Sequence, residues 1–277
     1  MSQYYYLVSG LPDITPEDAK LPLGYTDYLG QLMESLSRHD RGLLSYFRMG
    51  YEMRNLLRWL RDREAPLHPL GQLTKEDFYE QLQLIDFEER SPLPGVPAFF
   101  LNFLRERSEG LIAEGQEENR LTALFYEHAR CCSNGFVRNW FTFEQTLNNL
   151  LIALSCRKYG WDVESQLIGD TEIEQQLRSS TARDFGLGQI FPQTETVIRL
   201  SEEEDLLEKE KRIDRIKWDY LDELCSTCYF SVEVLLSYLV KIQSLERWIE
   251  LDPRSGEEKF RSLIASMKSS VQHKEDK

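Results

Sequence analysis

The sequence predicts an all-α fold assembled from three similar helical modules. Apolar residues recur at the helical period, and proline and glycine cluster at a few breaks. One pattern also returns three times. It reads YFRMGYEMRNLLRWL from Tyr46, WFTFEQTLNNLLIAL from Trp140 and YFSVEVLLSYLVKIQ from Tyr229, at successive offsets of 94 and 89 residues. Each copy opens with an aromatic residue followed by Phe. A repeat of this length exceeds the short solenoid units and fits copies of a small helical bundle.

The elements follow in chain order. YYYLV, from Tyr4 to Val8, precedes Gly10 and Pro12 and is expected to be a short strand or an extended arm in a groove. YTDYLGQLMESLSRHDRGLLS then leads as a helix into the first copy. There Tyr46, Met49, Met53, Leu56, Leu57 and Leu60 share one arc of roughly 100°. A break is expected near Pro66 and Pro69, and a loop from Ser91 to Pro97, where three prolines forbid regular helix. The second copy follows RLTALFYEHARCCSNGFVRN. Its arc is Trp140, Phe143, Leu147, Leu150, Leu151 and Leu154, and Gly160 should end it.

A second loop is expected around Gly186, Gly188 and Pro192. Ser201 then reads as an N-cap with Glu202, Glu203 and Glu204 in the first turn, where acid suits the helix dipole. The helix beyond it either runs to Lys241 or breaks near Cys225. KRIDRIKWDYLDELCSTC leads into the third copy, whose arc is Tyr229, Val232, Leu236, Leu239 and Val240. Asp252-Pro253 should end that copy, and the last residues read as a frayed tail. These breaks divide one multi-module domain into modules of 1–97, 98–200 and 201–277.

Composition narrows the function. The 277 residues carry a net charge of −14, which repels phosphate backbones and anionic lipid and so argues against nucleic acid as a partner. The opening residues lack a basic stretch followed by a long apolar core, and no apolar run is long enough for membrane insertion. Five cysteines, an odd number, suit a reducing cytoplasm.

Reactive constellations are sparse. His128, Cys131 and Cys132 can meet on one helical turn, yet His39, His68 and His273 stand apart from them, and packing is the favoured reading over a metal site. Cys225 and Cys228 form a C-x-x-C inside a helical pattern, without the strand of a redox site or the second pair of a zinc ribbon. Glu127 adjoins His128 and so misses the Glu-x-x-His spacing of carboxylate-bridged metals. No phosphate loop, dinucleotide fingerprint or nucleophile elbow occurs. No catalytic, cofactor or metal residues are therefore assigned, and the protein reads as a non-enzyme. Arg54, Asn55 and Arg58 form a polar side on the first copy, and Asn148 and Asn149 on the second. They are either a solvated face, the lining of a hollow, or a partner contact.

Two resemblances add to this. YYYLVSGLPDI, from Tyr4 to Ile14, resembles the start of an uncharacterised bacterial family encoded among the components of V-type ATPases. The threefold plan is similar to the C-type component of V/A-type rotary ATPases (d-type in eukaryotes), whose three helical modules form a funnel. RNLLRWL, from Arg54 to Leu60, and NNLLIAL, from Asn148 to Leu154, match that family's polar N-L/I-x-x-L run; in the third copy Ser237 and Tyr238 replace the asparagines. The resemblance implies a non-catalytic peripheral subunit with no cofactor, on the cytoplasmic face of the inner membrane. Its partners would be the central-shaft proteins of the V-type ATPase and the membrane rotor ring. Alternatives are an assembly or regulatory adaptor of the same ATPase, or a helical-bundle enzyme holding a metal or cofactor.

Overall fold

The computed structural model describes residues 4–85, 93 and 95–251, and among these it contains eleven α-helices and no strand. The helices are α1 (Tyr5–Ser9), α2 (Tyr25–Ser35), α3 (Arg38–Arg61), α4 (Lys75–Gln83), α5 (Ala98–Ser108) and α6 (Glu117–Arg130). They continue with α7 (Gly135–Tyr159), α8 (Glu172–Ser179), α9 (Thr194–Ser201), α10 (Leu206–Cys225) and α11 (Val232–Leu251). The chain divides into two compact units, 1–37 with 225–277, and 38–224. Compactness thus joins the two ends of the chain and leaves the middle as one body.

In the unit made from the chain ends, α2 packs on α11. The Tyr28 hydroxyl donates to the Leu235 carbonyl at 3.1 Å, and its ring meets Tyr238 edge-on at 5.2 Å. Leu29, Leu32, Leu236, Leu239 and Ile242 are buried. The opening YYYLV is not a strand. Among the described residues there is no sheet edge to pair with, and its backbone groups are satisfied within one helical turn, α1. It is anchored by side chains and one backbone bond: Tyr4 N donates to Phe230 O at 2.6 Å, Tyr4 Oη accepts from Ser37 N at 3.1 Å, and Tyr5 packs on Phe230 at 4.0 Å.

In the middle unit α7 is central. Its buried Val137, Trp140, Phe141, Leu147 and Leu150 face neighbours on several sides, and α6, α8 and α9 all pack on it. The α5–α6 hairpin is apolar within, through Phe99, Phe100, Phe103, Leu121 and Phe125. At its edge Arg120 makes a two-pronged pair with Glu106, both bonds 2.6 Å. Phe143 stacks on Tyr220 at 3.9 Å, which ties α7 to α10.

Several expected boundaries hold. The 62–74 break follows α3, α7 stops at Gly160 with φ +69 in the left-handed region, and the chain leaves helix between Cys225 and Val232. The predicted loop begins outside the described residues, at Ser91, Pro92 and Pro94, and Pro97 then serves as the N-cap of α5. The Asp252-Pro253 break, His273 and the tail also lie outside the described residues.

Two expectations are corrected. Ser201 does not cap a helix N-terminus; it closes α9, and its hydroxyl donates to Ile198 O. The cap of α10 is Asp205, whose carboxylate accepts from Leu207 N at 2.9 Å and Glu208 N at 3.1 Å. Both serine and aspartate suit a cap, and packing of the buried Val197 and Ile198 moves the helix boundary past the serine. Tyr229 does not start the third helix either. It is 77% exposed and lies in the turn before α11, beside Phe230 with φ +48, whereas Tyr46 and Trp140 lie inside α3 and α7.

Candidate functional site

The five polar residues singled out from the pattern separate into two groups. Asn55 is 1% exposed and Asn149 0%, so neither belongs to a solvated face. Each holds the loop that follows its own helix. Asn55 Oδ1 accepts from His68 N at 2.6 Å, and its Nδ2 donates to His68 O at 3.2 Å. Asn149 does the same to Ile168: Oδ1 accepts from its N at 2.9 Å and Nδ2 donates to its O at 2.8 Å. A side-chain amide presents the donor and acceptor of a peptide group, so one asparagine satisfies both backbone groups of a single loop residue. The helical wheel missed this because it cannot say what folds back over a helix face.

The two clamps share their surroundings. Each loop brings a glycine against a polar side chain of its long helix: a Cβ on Gly71 would collide with Asn55 Nδ2, and one on Gly169 with Gln145 Nε2. Each loop then enters a helix through a reciprocal capping box, Thr74 with Asp77 for α4 and Thr171 with Glu174 for α8. A second polar side chain on each long helix supports the loop. Glu52 accepts from Gln72 N and Leu73 N, and Gln145 Nε2 donates to Ile168 O at 2.9 Å. Burial pushes the Glu52 carboxyl above its usual range against those bonds and Arg48, which act to lower it. Asn149 also donates to Glu174 Oε1 at 2.8 Å, so the second clamp and its capping box are joined.

Arg54 and Arg58 are exposed on α3 and line one side of an open cleft of ≈ 600 Å³. Arg54 Nε donates to Gly50 O at 3.1 Å with its guanidinium over Tyr51, and Arg58 Nη1 donates to Pro66 O at 3.0 Å. Arg61, Asp62, Leu57, Ala65, Pro66 and Glu118 complete the lining; the sequence pattern did not single out Arg61 or Glu118. Arg61 repeats the helical spacing of Arg54 and Arg58, which is a signal the sequence did carry. Asn148 lies elsewhere, half-buried, with Nδ2 3.5 Å from the Tyr126 hydroxyl. Beside that pair, burial holds the Glu144 carboxyl above its usual range, partly offset by Lys217. The Tyr126 hydroxyl is also pushed up, by its burial and by Glu144.

The sulfur and imidazole groups differ in their surroundings, and His128 is the one held among aromatic rings. His128 stacks on Tyr46 at 5.2 Å, near Phe99, and burial lowers its pKa. Cys132 is buried and Cys131 exposed. Cys225 ends α10, and Cys228 N donates to its carbonyl at 2.9 Å in the turn that follows. Burial pushes the Cys225 thiol up to about 12 and raises Cys228 as well, the reverse of an activated thiolate. Among the described residues, no group of three or more His, Cys, Asp or Glu side chains is placed to hold a metal ion. No described helix is long and apolar enough to cross a membrane.

Among the described residues the fold is all-helical, and one long-helix, clamped-loop and capped-helix device is built twice. The chain belongs to an uncharacterised family, described as a protein of unknown function (DUF2764), whose model matches residues 1–271. No curated protein and no solved structure matches it.

Proposed function

We propose that this protein is a non-catalytic peripheral subunit of a bacterial V-type ATPase, coupling the central shaft to the membrane rotor ring. The observation that carries the reading is the duplicated device. Asn55 and Asn149 lie 94 residues apart, at matching places in two copies of one sequence pattern, and hold their loops through the same pair of hydrogen bonds. Such internal duplication supports the three-module plan that the chain's resemblance to the funnel-shaped component of rotary ATPases implies. In the third copy of the pattern, Tyr238 on α11 stands at the position of the two clamp asparagines, with Ser237 before it.

A coupling part needs rigidity in place of reactive groups. Clamps that satisfy loop backbone from a buried side chain supply it, because loops are otherwise the softest parts of a helical fold. Dense packing around α7 serves the same end, since protein interiors transmit strain with little compression. In the proposed assembly the modules close into a funnel that receives the shaft tip. The protein would then reside at the cytoplasmic face of the inner membrane, held there by the complex.

Purification of the native ATPase through a tag on one of its catalytic proteins, followed by quantitative mass spectrometry, tests the reading. Stoichiometric recovery of this chain with the shaft and ring proteins is expected. Recovery well below stoichiometry would favour an assembly or regulatory adaptor, and absence from the complex would remove the coupling role.

A further inference from the structure

The acidity of this chain makes one surface conspicuous. Helix α3 carries six arginines, at 38, 41, 48, 54, 58 and 61, against two acids, Asp40 and Glu52, in a chain of net charge −14. Three of them, Arg54, Arg58 and Arg61, are exposed and fall at i, i+4 and i+7, which places them on one stripe. Among the described residues none of the three forms an ion pair, although Asp62 and Glu118 line the same cleft. Arg54 and Arg58 each give one N–H to a carbonyl, Gly50 O and Pro66 O, which sets their position and leaves most of the five donors of each guanidinium unused.

We infer that this stripe and the cleft beside it dock an acidic, partly apolar polypeptide segment of a partner protein. The length of the stripe argues for a segment over a single anion. Seven residues of helix rise about 10 Å, which spreads the guanidiniums along a line and does not converge them on one point. The lining argues the same way. Leu57, Ala65 and Pro66 offer an apolar floor between the charges, while Asp62 and Glu118 on the rim would oppose a dense polyphosphate. Arginine at a rim mainly steers and orients, so the docked segment is selected by the order of its carboxylates as well as by its charge. The surface stands whether or not the partner belongs to a rotary ATPase.

Fluorescence anisotropy with the full-length protein tests it, using a fluorescein-labelled peptide of alternating Glu and Leu, a Lys-Leu control and inorganic tripolyphosphate as competitor. Saturable binding of the acidic peptide that weakens with salt is expected. Replacing Arg54, Arg58 and Arg61 together by Gln should weaken it about tenfold, three exposed pairs each being worth a few-fold. Glu118→Gln should tighten it by removing a competing carboxylate. Arg61→Gln serves as the second variant, because Arg61 makes no hydrogen bond or ion pair among the described residues that folding would miss. Unchanged affinity in both arginine variants, no saturable binding to the natural sequence, or tighter binding of tripolyphosphate than of the peptide would each overturn the assignment.

Discussion

Substituting Asn149 by Ala puts the clamp to a quantitative test. Its side chain makes three bonds, to Ile168 N at 2.9 Å, Ile168 O at 2.8 Å and Glu174 Oε1 at 2.8 Å, and it is fully buried. Truncation does not orphan all three partners alike. Ile168 O keeps Gln145 Nε2 at 2.9 Å, and Glu174 keeps Thr171 through its other oxygen, so Ile168 N–H and one carboxylate oxygen lose their partner. With about 1–3 kcal/mol for each buried group left unsatisfied, the cost should be about 3 kcal/mol. Asn55→Ala breaks two bonds to His68, but the His68 carbonyl keeps Gly71 N at 3.0 Å, so one N–H, on an exposed residue, loses its partner. That variant should lose only about 1 kcal/mol. Urea denaturation of both variants measures the difference, and thermal melts should show a fall of roughly 6–12 °C for Asn149→Ala in a unit of this size. Hydrogen exchange should show the Ile168 amide losing protection before the core of α7 does. Equal losses for the two variants, or a loss below about 1 kcal/mol for Asn149→Ala, would refute the account of burial deciding the strength of the clamp.

Further outcomes follow from the same structure. Gly71→Ala should displace Asn55, and Gly169→Ala, with φ +96 and Gln145 in the way, should cost more; both should fall in a range of about 1–3 kcal/mol by urea titration, and wild-type stability in Gly169→Ala would refute the close packing. Asp205→Ala should cost about 1 kcal/mol and Ser201→Ala much less, and the reverse order would restore the serine as the cap. His128 stays neutral in the folded state to a lower pH than its ordinary 6.5 because burial disfavours the cation, so its contribution is complete above about 6.5 and is lost as pH falls through the folded value. His128→Phe should therefore flatten the acid-side loss of stability between neutral and mildly acidic pH, and an unchanged slope in urea midpoints would assign that loss to other groups. Leu150→Ala, at a side chain with no exposure, should cost about 3–5 kcal/mol if α7 is the centre of its unit.

The sequence by itself determined the helical class, the breaks after α3 and α7, and most of the apolar arcs, because these follow from period and backbone chemistry that act within a few residues. Met49, Leu56, Leu147, Leu150, Leu236 and Leu239 are buried as their spacing requires. It also carried the arginine stripe of α3, although the polar pattern marked only two of its three members. What it could not decide depends on segments far apart in the chain. Tyr4 to Val8 reads as a short strand or an extended arm from its own side chains, yet Tyr5–Ser9 is a helical turn, and no strand exists among the described residues to pair with it. Asn55 and Asn149 sit opposite an apolar arc, and only the return of the 62–74 and 160–171 loops over that face turns them from surface residues into buried clamps. Likewise, joining 1–37 to 225–277 is a choice between contacts separated by some two hundred residues, and no local pattern records such a choice.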